Sequence, residues 1–407
     1  MHFVPKSSLL TFLITLFLVN LISAQDIQSP QTRLYNTALD LYENGFFEEA
    51  TEHFQEFSST YPQHDLRVSS DFYVARSNTA VDSANIESYY KKFVINYPGS
   101  DLSEILLKDI AHRFTDNGQY EEAITYYQQA ISSWMTDSQS AKTKYWIAEA
   151  AAENGDYSDS RVYFMELAND FPDSEWAPKA LYARGRLYLT QQQYNASSIA
   201  FEVLKERYPN NPITRQVGTA LGESYYMQAK YEEAIETLNS ALPYLDGESQ
   251  NKAVFLIAES QNYLGRYDVA SRSYLRYINM TKGTPQERIA HYGLGWVYNK
   301  QEIYHWAAES FGKAAVGDDE IARKAQYYKA VNEKLGGQYG KSINSFREFG
   351  ERYDSGLWVE KAYYEWSVSA FQASLYGEAI EVLLDLVRSD VDLEEPGKVY
   401  TMLGEAF

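Results

Sequence analysis

The chain has no cysteine. A disulfide framework, a thiolate metal site and a cysteine nucleophile are therefore all closed to it, and the sequence suits any redox compartment. Positive charge is also scarce: Lys and Arg number 36 against 56 Asp and Glu, a net of -20. A surface of that sign repels a phosphate backbone, so nucleic acid is not an expected partner. Histidines are few, and His53, His64, His112, His291 and His305 show no HExxH or other metal-ligand spacing. No GxSxG elbow, P-loop or GxGxxG occurs. These absences point to a chain with no catalytic centre, no cofactor and no metal.

Long hydrophobic runs are equally rare. One stands near the start, LLTFLITLFLVNLIS at 9–23, behind Lys6 and ahead of the polar QDIQSP. Its apolar stretch of about 16 residues is short of the roughly 20 that span a bilayer. The layout is that of a cleaved secretory signal peptide over 1–24, with Ile22 and Ala24 where a signal peptidase reads. No cysteine follows the run, so a lipoprotein anchor is not expected, and no second run is long enough for a membrane span. A short linker over 25–31 and a periplasmic or secreted location complete this expectation.

What the chain has in plenty is repetition. NGQYEEAITYYQQAIS at 117–132 is echoed by NGDYSDSRVYFMELA at 154–168 and AKYEEAIETLNSALP at 229–243. A small residue recurs at Ala38, Val74, Ala111, Ala148, Gly185, Gly222, Ala258, Gly295, Ala330, Ser367 and Gly404, every 35 to 37 residues, Val74 being the exception in size. A second position recurs at Ala50, Ile86, Ala123, Ser160, Ser197, Ala234, Ala270, Ala307, Ser342 and Ala379. Sixteen residues past each first position stands a large side chain: Phe54, Tyr90, Tyr127, Phe164, Phe201, Leu238, Tyr274, Phe311, Phe346 and Leu383. Small residues let two helices approach, and the large one fills the gap between them. Asn44-Gly45, Asn117-Gly118, Asn154-Gly155 and Gly336-Gly337 mark turns that close a helix. Tyr61-Pro62, Tyr97-Pro98, Phe171-Pro172 and Tyr208-Pro209 mark the end of the second helix.

This pattern resembles the tetratricopeptide repeat from about Gln31 to the end, with repeats slightly longer than the family's usual length of about 34 residues. The resemblance implies an all-α, right-handed superhelical solenoid of antiparallel helix pairs, with ten full repeats and the start of an eleventh over 32–407. The YPxS ending at 97–100 looks like repeats of periplasmic proteins serving outer-membrane protein assembly and the Tol-Pal system. Repeat two, around Val74 and Ile86, is the most degenerate. An array normally ends in a polar capping helix, and the last repeat lacks its second helix, so the expectation is a chain continuing beyond Phe407.

Candidate binding residues lie on the first helix of each repeat. Three before the first small position stand Tyr35, Tyr145, Tyr182, Phe255, Tyr292, Tyr327 and Tyr364; three before these stand Lys142, Lys179, Lys252, Lys324 and Lys361. Residues three apart share a helix face. In the family this face lines the concave groove where extended peptides lie. Rings offering flat apolar surface beside ammonium donors would form a ladder for protein segments, although a tyrosine at this spacing also suits packing between helices. Glu48-Glu49, Glu121-Glu122 and Glu232-Glu233 open second helices, where carboxylates favour the helix N-terminus. The expected function is a non-catalytic protein-interaction scaffold of the bacterial envelope. A glycan-binding module, and a recruiting arm for a catalytic domain beyond residue 407, are the alternatives.

Overall fold

The computed structural model describes residues 29–131, 137–353, 357–388 and 396–407. The expected signal peptide and linker residues 25–28 lie outside them. Among the described residues are 21 α-helices and no strand, and 83% of those residues are helical. They gather into two compact units, Met1–Leu187 and Tyr188–Phe407, each an array of antiparallel helix pairs. Within a unit, a helix packs mainly on its neighbours in sequence, and a first helix also touches the first helix of the next repeat. This is the quasi-one-dimensional order of a solenoid.

Repeat one shows why the sequence folds this way. Ser29 accepts a hydrogen bond from the Thr32 amide at 3.2 Å and Pro30 occupies the first turn, so the helix Pro30–Glu43 starts inside the stretch expected as linker. Gly45 takes φ +83°, and the Phe46 amide donates to the Leu41 carbonyl, closing the helix end. Phe47–Thr60 then folds back, burying Ala50, Phe54 and Phe57 against Tyr35 and Ala38. The ten large residues named above are all at most 3% exposed. Each therefore fills the gap its spacing assigned to it. Gly295 meets Phe311 so closely that an added methyl group would stand 2.8 Å from the ring.

Repeat two departs from the pattern. Val74 and Ile86 are only half-buried, while Phe72 and Ala75 are buried instead. A 3-10 turn, Ser83–Asn85, replaces the glycine turn between helices Arg67–Val81 and Ile86–Asn96. Branched side chains at both close-approach positions keep that pair from adopting the register of the others.

The proline turns couple one repeat to the next. Tyr97 closes its helix through the Phe93 carbonyl, and Ser100 three residues on accepts from the Leu102 amide at 3.2 Å, opening helix Asp101–Asp116. Ser174 does the same for Trp176, and Asn211 for Ile213. The YPxS ending is thus a helix stop and the next helix start in four residues. The final helix, Pro396–Ala406, buries Val399, Met402 and Ala406, while Tyr400 and Phe407 are exposed, Leu403 is half-buried and Gly404 lies open. No described helix is long and apolar enough to cross a membrane.

Candidate functional site

The two rows of the ladder take different places. The rings pack inward, each on the large residue of its own repeat. Centroid separations are 5.6 Å for Tyr35 with Phe54, 5.3 Å for Tyr145 with Phe164, 6.3 Å for Phe255 with Tyr274, 5.7 Å for Tyr292 with Phe311 and 6.0 Å for Tyr327 with Phe346. Tyr364 lies half-buried beside Leu383 and Leu386, and Tyr182 is half-buried on helix Trp176–Thr190. Burial holds the Tyr35, Tyr145 and Tyr327 hydroxyls well above the usual phenol range. The rings are spent on the interface between paired helices, as aromatic edge contacts are elsewhere in protein cores. Tyr35 and Tyr327 are buried, and Tyr145, Tyr182, Phe255, Tyr292 and Tyr364 are half-buried.

The lysines stay outside, and three kinds of surroundings receive them. Lys252 forms an ion pair with Glu223 at 2.7 Å. Lys179 and Lys324 each pair at 3.2 Å with a glutamate four residues earlier, Glu175 and Glu320. Lys142 and Lys361 make no ion pair among the described residues and rest on indole rings. Lys142 Nζ lies 4.7 Å from the Trp146 centroid and 5.9 Å from that of Trp176, and Lys361 Nζ lies 5.6 Å from that of Trp358. Lys179 also covers Trp176 at 4.0 Å, and Lys324 approaches Trp358 at 6.0 Å. The aromatic partner of these lysines is a tryptophan, and the tyrosine three residues on serves the helix pair.

Trp176 and Trp358 belong to neither row of the ladder. Each stands nine before its first small position, Gly185 and Ser367, so the two are equivalent in the repeat. Each takes one ammonium from three residues later and one from 34 residues earlier. The shared offset was the available signal. Around Trp176 the electrostatics run against the chain's net sign. Burial first, then the neighbouring Lys108 and Lys179, push the Lys142 ammonium below its ordinary pKa, with Glu175 opposing. His112 adjoins the same patch, its ring 4.2 Å from Trp146 and its Nδ1 2.6 Å from the Tyr127 hydroxyl. Burial lowers the His112 pKa, and Lys142 and Lys108 add to the shift while Asp116 opposes it. Burial raises Tyr127 to about 12. Such an arrangement can hold a negative group.

A second, acidic cluster sits in the other unit. Glu259 accepts from the Tyr274 hydroxyl and from Tyr226, and burial pushes its carboxyl above the ordinary range. Tyr231 and Tyr263 stack beside Tyr226 with centroids 4.8 Å apart and planes 2° from parallel. Among the described residues no group of three His, Asp or Glu is placed to hold a metal ion.

Comparison with known proteins agrees with the fold. A model for the tetratricopeptide repeat matches residues 108–175 and 255–327, and one described as outer membrane lipoprotein matches 174–263. No curated protein matches the chain. Similar solved structures include residues 41 to the end of MamA from Desulfovibrio magneticus RS-1, with 19% identity and a TM-score of 0.35 over 44% of this chain and 94% of that one. Another holds kinesin light chain TPR-like repeats from Podosopora anserina, with 14% identity and a TM-score of 0.35 over 43% and 92%. A third is a signal-transduction ATPase with a tetratricopeptide repeat sensor from Pyrococcus horikoshii, with 14% identity and a TM-score of 0.47 over 82% of this chain and 55% of that one. With its helix pairs and buried small and large positions, the chain is an all-α array that carries tetratricopeptide repeats over 108–175 and 255–327.

Proposed function

We propose that the chain is a non-catalytic interaction scaffold of the bacterial envelope that binds protein segments along the first-helix face, in outer-membrane or envelope assembly. The observation that carries this reading is the lysine row. In a chain of net charge -20, five lysines recur at one repeat position, on the outer side of rings already committed to packing. Lysine early in a helix opposes the macrodipole, a cost that Lys179 and Lys324 offset through a glutamate four residues earlier and Lys142 and Lys361 do not. The match of 174–263 to an outer membrane lipoprotein model supports the envelope setting, as does the signal-like layout of 1–24.

The test is a pull-down from envelope extract with the chain from Gln25 onward, beside the variant Lys179→Glu, Lys252→Glu, Lys324→Glu. Bound proteins identified by mass spectrometry should be recovered with the parent chain and lost with the variant. Equal recovery by both would remove the first-helix face from the reading. Recovery of cell-wall glycan and no protein would overturn the scaffold itself.

A further inference from the structure

We infer that Trp176 with Lys142 and Lys179, and Trp358 with Lys324 and Lys361, form two equivalent receptors for the carboxylates of an acidic protein segment. The inference rests on the scaffold reading and names the chemistry of its partner.

Three observations lead to it. The same trio arises twice, once in each compact unit, from one repeat position for the ring and one for the lysines. Coincidence of two unrelated surface lysines over a ring does not reproduce a spacing. Next, Lys142 is held beside Lys108 and Lys179, like charges gathered in a chain of the opposite net sign. Lys108 is paired with Glu104 and Lys179 with Glu175, so Lys142 is the ammonium of this group to which an arriving anion adds a new partner. Last, an ammonium has three donors and a ring face engages it from one side only, so Lys142 and Lys361 keep N–H groups for a carboxylate. The glutamates beside Lys179 and Lys324 are exposed side chains four residues back, at the helix start, pairs that yield cheaply to a better-placed partner.

The geometry also chooses between sources of carboxylate. Sugar rings bind tryptophan by stacking on an open face, and here ammonium groups lie over those rings. A side-chain carboxylate approaching the ammonium from the solvent side needs no such face. Lys313 supplies an internal control, because it is an exposed lysine outside that row, on helix Tyr304–Ala314, and is already paired with Glu309 at 2.8 Å.

The experiment uses the full chain and three probes: an acetylated, amidated decapeptide of alternating Glu and Leu, its Gln-for-Glu counterpart, and polygalacturonate. Titration calorimetry and tryptophan fluorescence should show two sites for the Glu peptide, weakening with salt. Lys142→Gln with Lys179→Gln should abolish one site, and Lys324→Gln with Lys361→Gln the other. The single variants Lys142→Gln and Lys361→Gln should weaken their own site about tenfold, as loss of a charge-assisted contact does. Lys313→Gln should leave both sites within about twofold. Unchanged circular dichroism and melting would show that each variant folds. The proposal is overturned if Lys313→Gln weakens binding as much as the paired variants, if the Gln peptide or polygalacturonate binds as well as the Glu peptide, or if no probe binds. In the last case, envelope proteins still captured in the pull-down would leave the scaffold standing and remove only the carboxylate receptors.

Discussion

The ring of Phe311 lies flat against the space where Gly295 has no side chain, and a Cβ there would stand 2.8 Å from Cδ1 and Cε1. The first small position is therefore set by contact, with no room left over. Gly295→Ala should force the ring or the helix to shift and cost about 1–3 kcal/mol, the range for overpacking a filled core. Urea unfolding at constant slope would measure it. A neutral substitution would mean the helices slide apart freely.

Four of the turns inside repeats place a residue other than glycine in the left-handed region: Gln192, Ala229, Glu302 and Ser374, with φ between 56° and 60°. Ala229→Gly should raise stability by about 0.5–1 kcal/mol, because the strain of an L side chain there outweighs the added freedom of the unfolded chain. The reverse change, Gly118→Ala at φ +73°, should lower it by a similar amount. Paired thermal melts would decide the sign.

Glu259 gives the chain a pH-dependent term. Burial is the largest cause of its raised pKa, and hydroxyl donors Tyr274 and Tyr226 oppose it. A folded-state value above the unfolded 4.5 means that the folded chain holds this proton more firmly. Its contribution to stability is full below that pH and is lost as pH rises through the raised value. Glu259→Gln should melt higher than the parent near neutral pH, with the advantage fading toward pH 4.5. A gain of the same size at both ends of that window would assign the effect to packing.

Phe346 is fully buried between its paired helices. Phe346→Ala should cost about 3–5 kcal/mol from lost burial and the cavity left behind. In an array held by neighbours the damage should stay near helices Glu320–Leu335 and Tyr339–Arg352. Amide exchange should accelerate there and remain unchanged in Pro30–Thr60. Exchange rising uniformly along the chain would point to a single cooperative core.

Much of the fold was legible because close packing restricts which residue sizes can alternate. The positions from Ala38 to Ser367, and the large residues from Phe54 to Leu383, fall where helices must approach or fill space, and nearly all are buried. Repeat two escaped because Val74 carries the periodic number while its neighbour Ala75 is the buried small residue. The turns without glycine escaped because Gln192 and Ala229 show no composition cue for their backbone. In the candidate site the lysines share a register legible in the sequence, while the rings three residues on, Tyr145 and Tyr327, pack on Phe164 and Phe346. The rings that do meet the lysines are drawn partly from the next repeat, a contact between residues 34 apart that no helix periodicity displays.

The turn from Tyr97 to Ser100, which ends one helix and caps the next, also bears on how quickly such a chain assembles. Native contacts here join residues close in sequence, so little loop entropy has to be overcome before each new contact forms. Folding time then depends on closing one hairpin and its exit turn, and the length of 407 residues adds rounds of the same short step. A chain delivered end first can lock repeat after repeat as it emerges, each finished pair serving as the template for the one behind it.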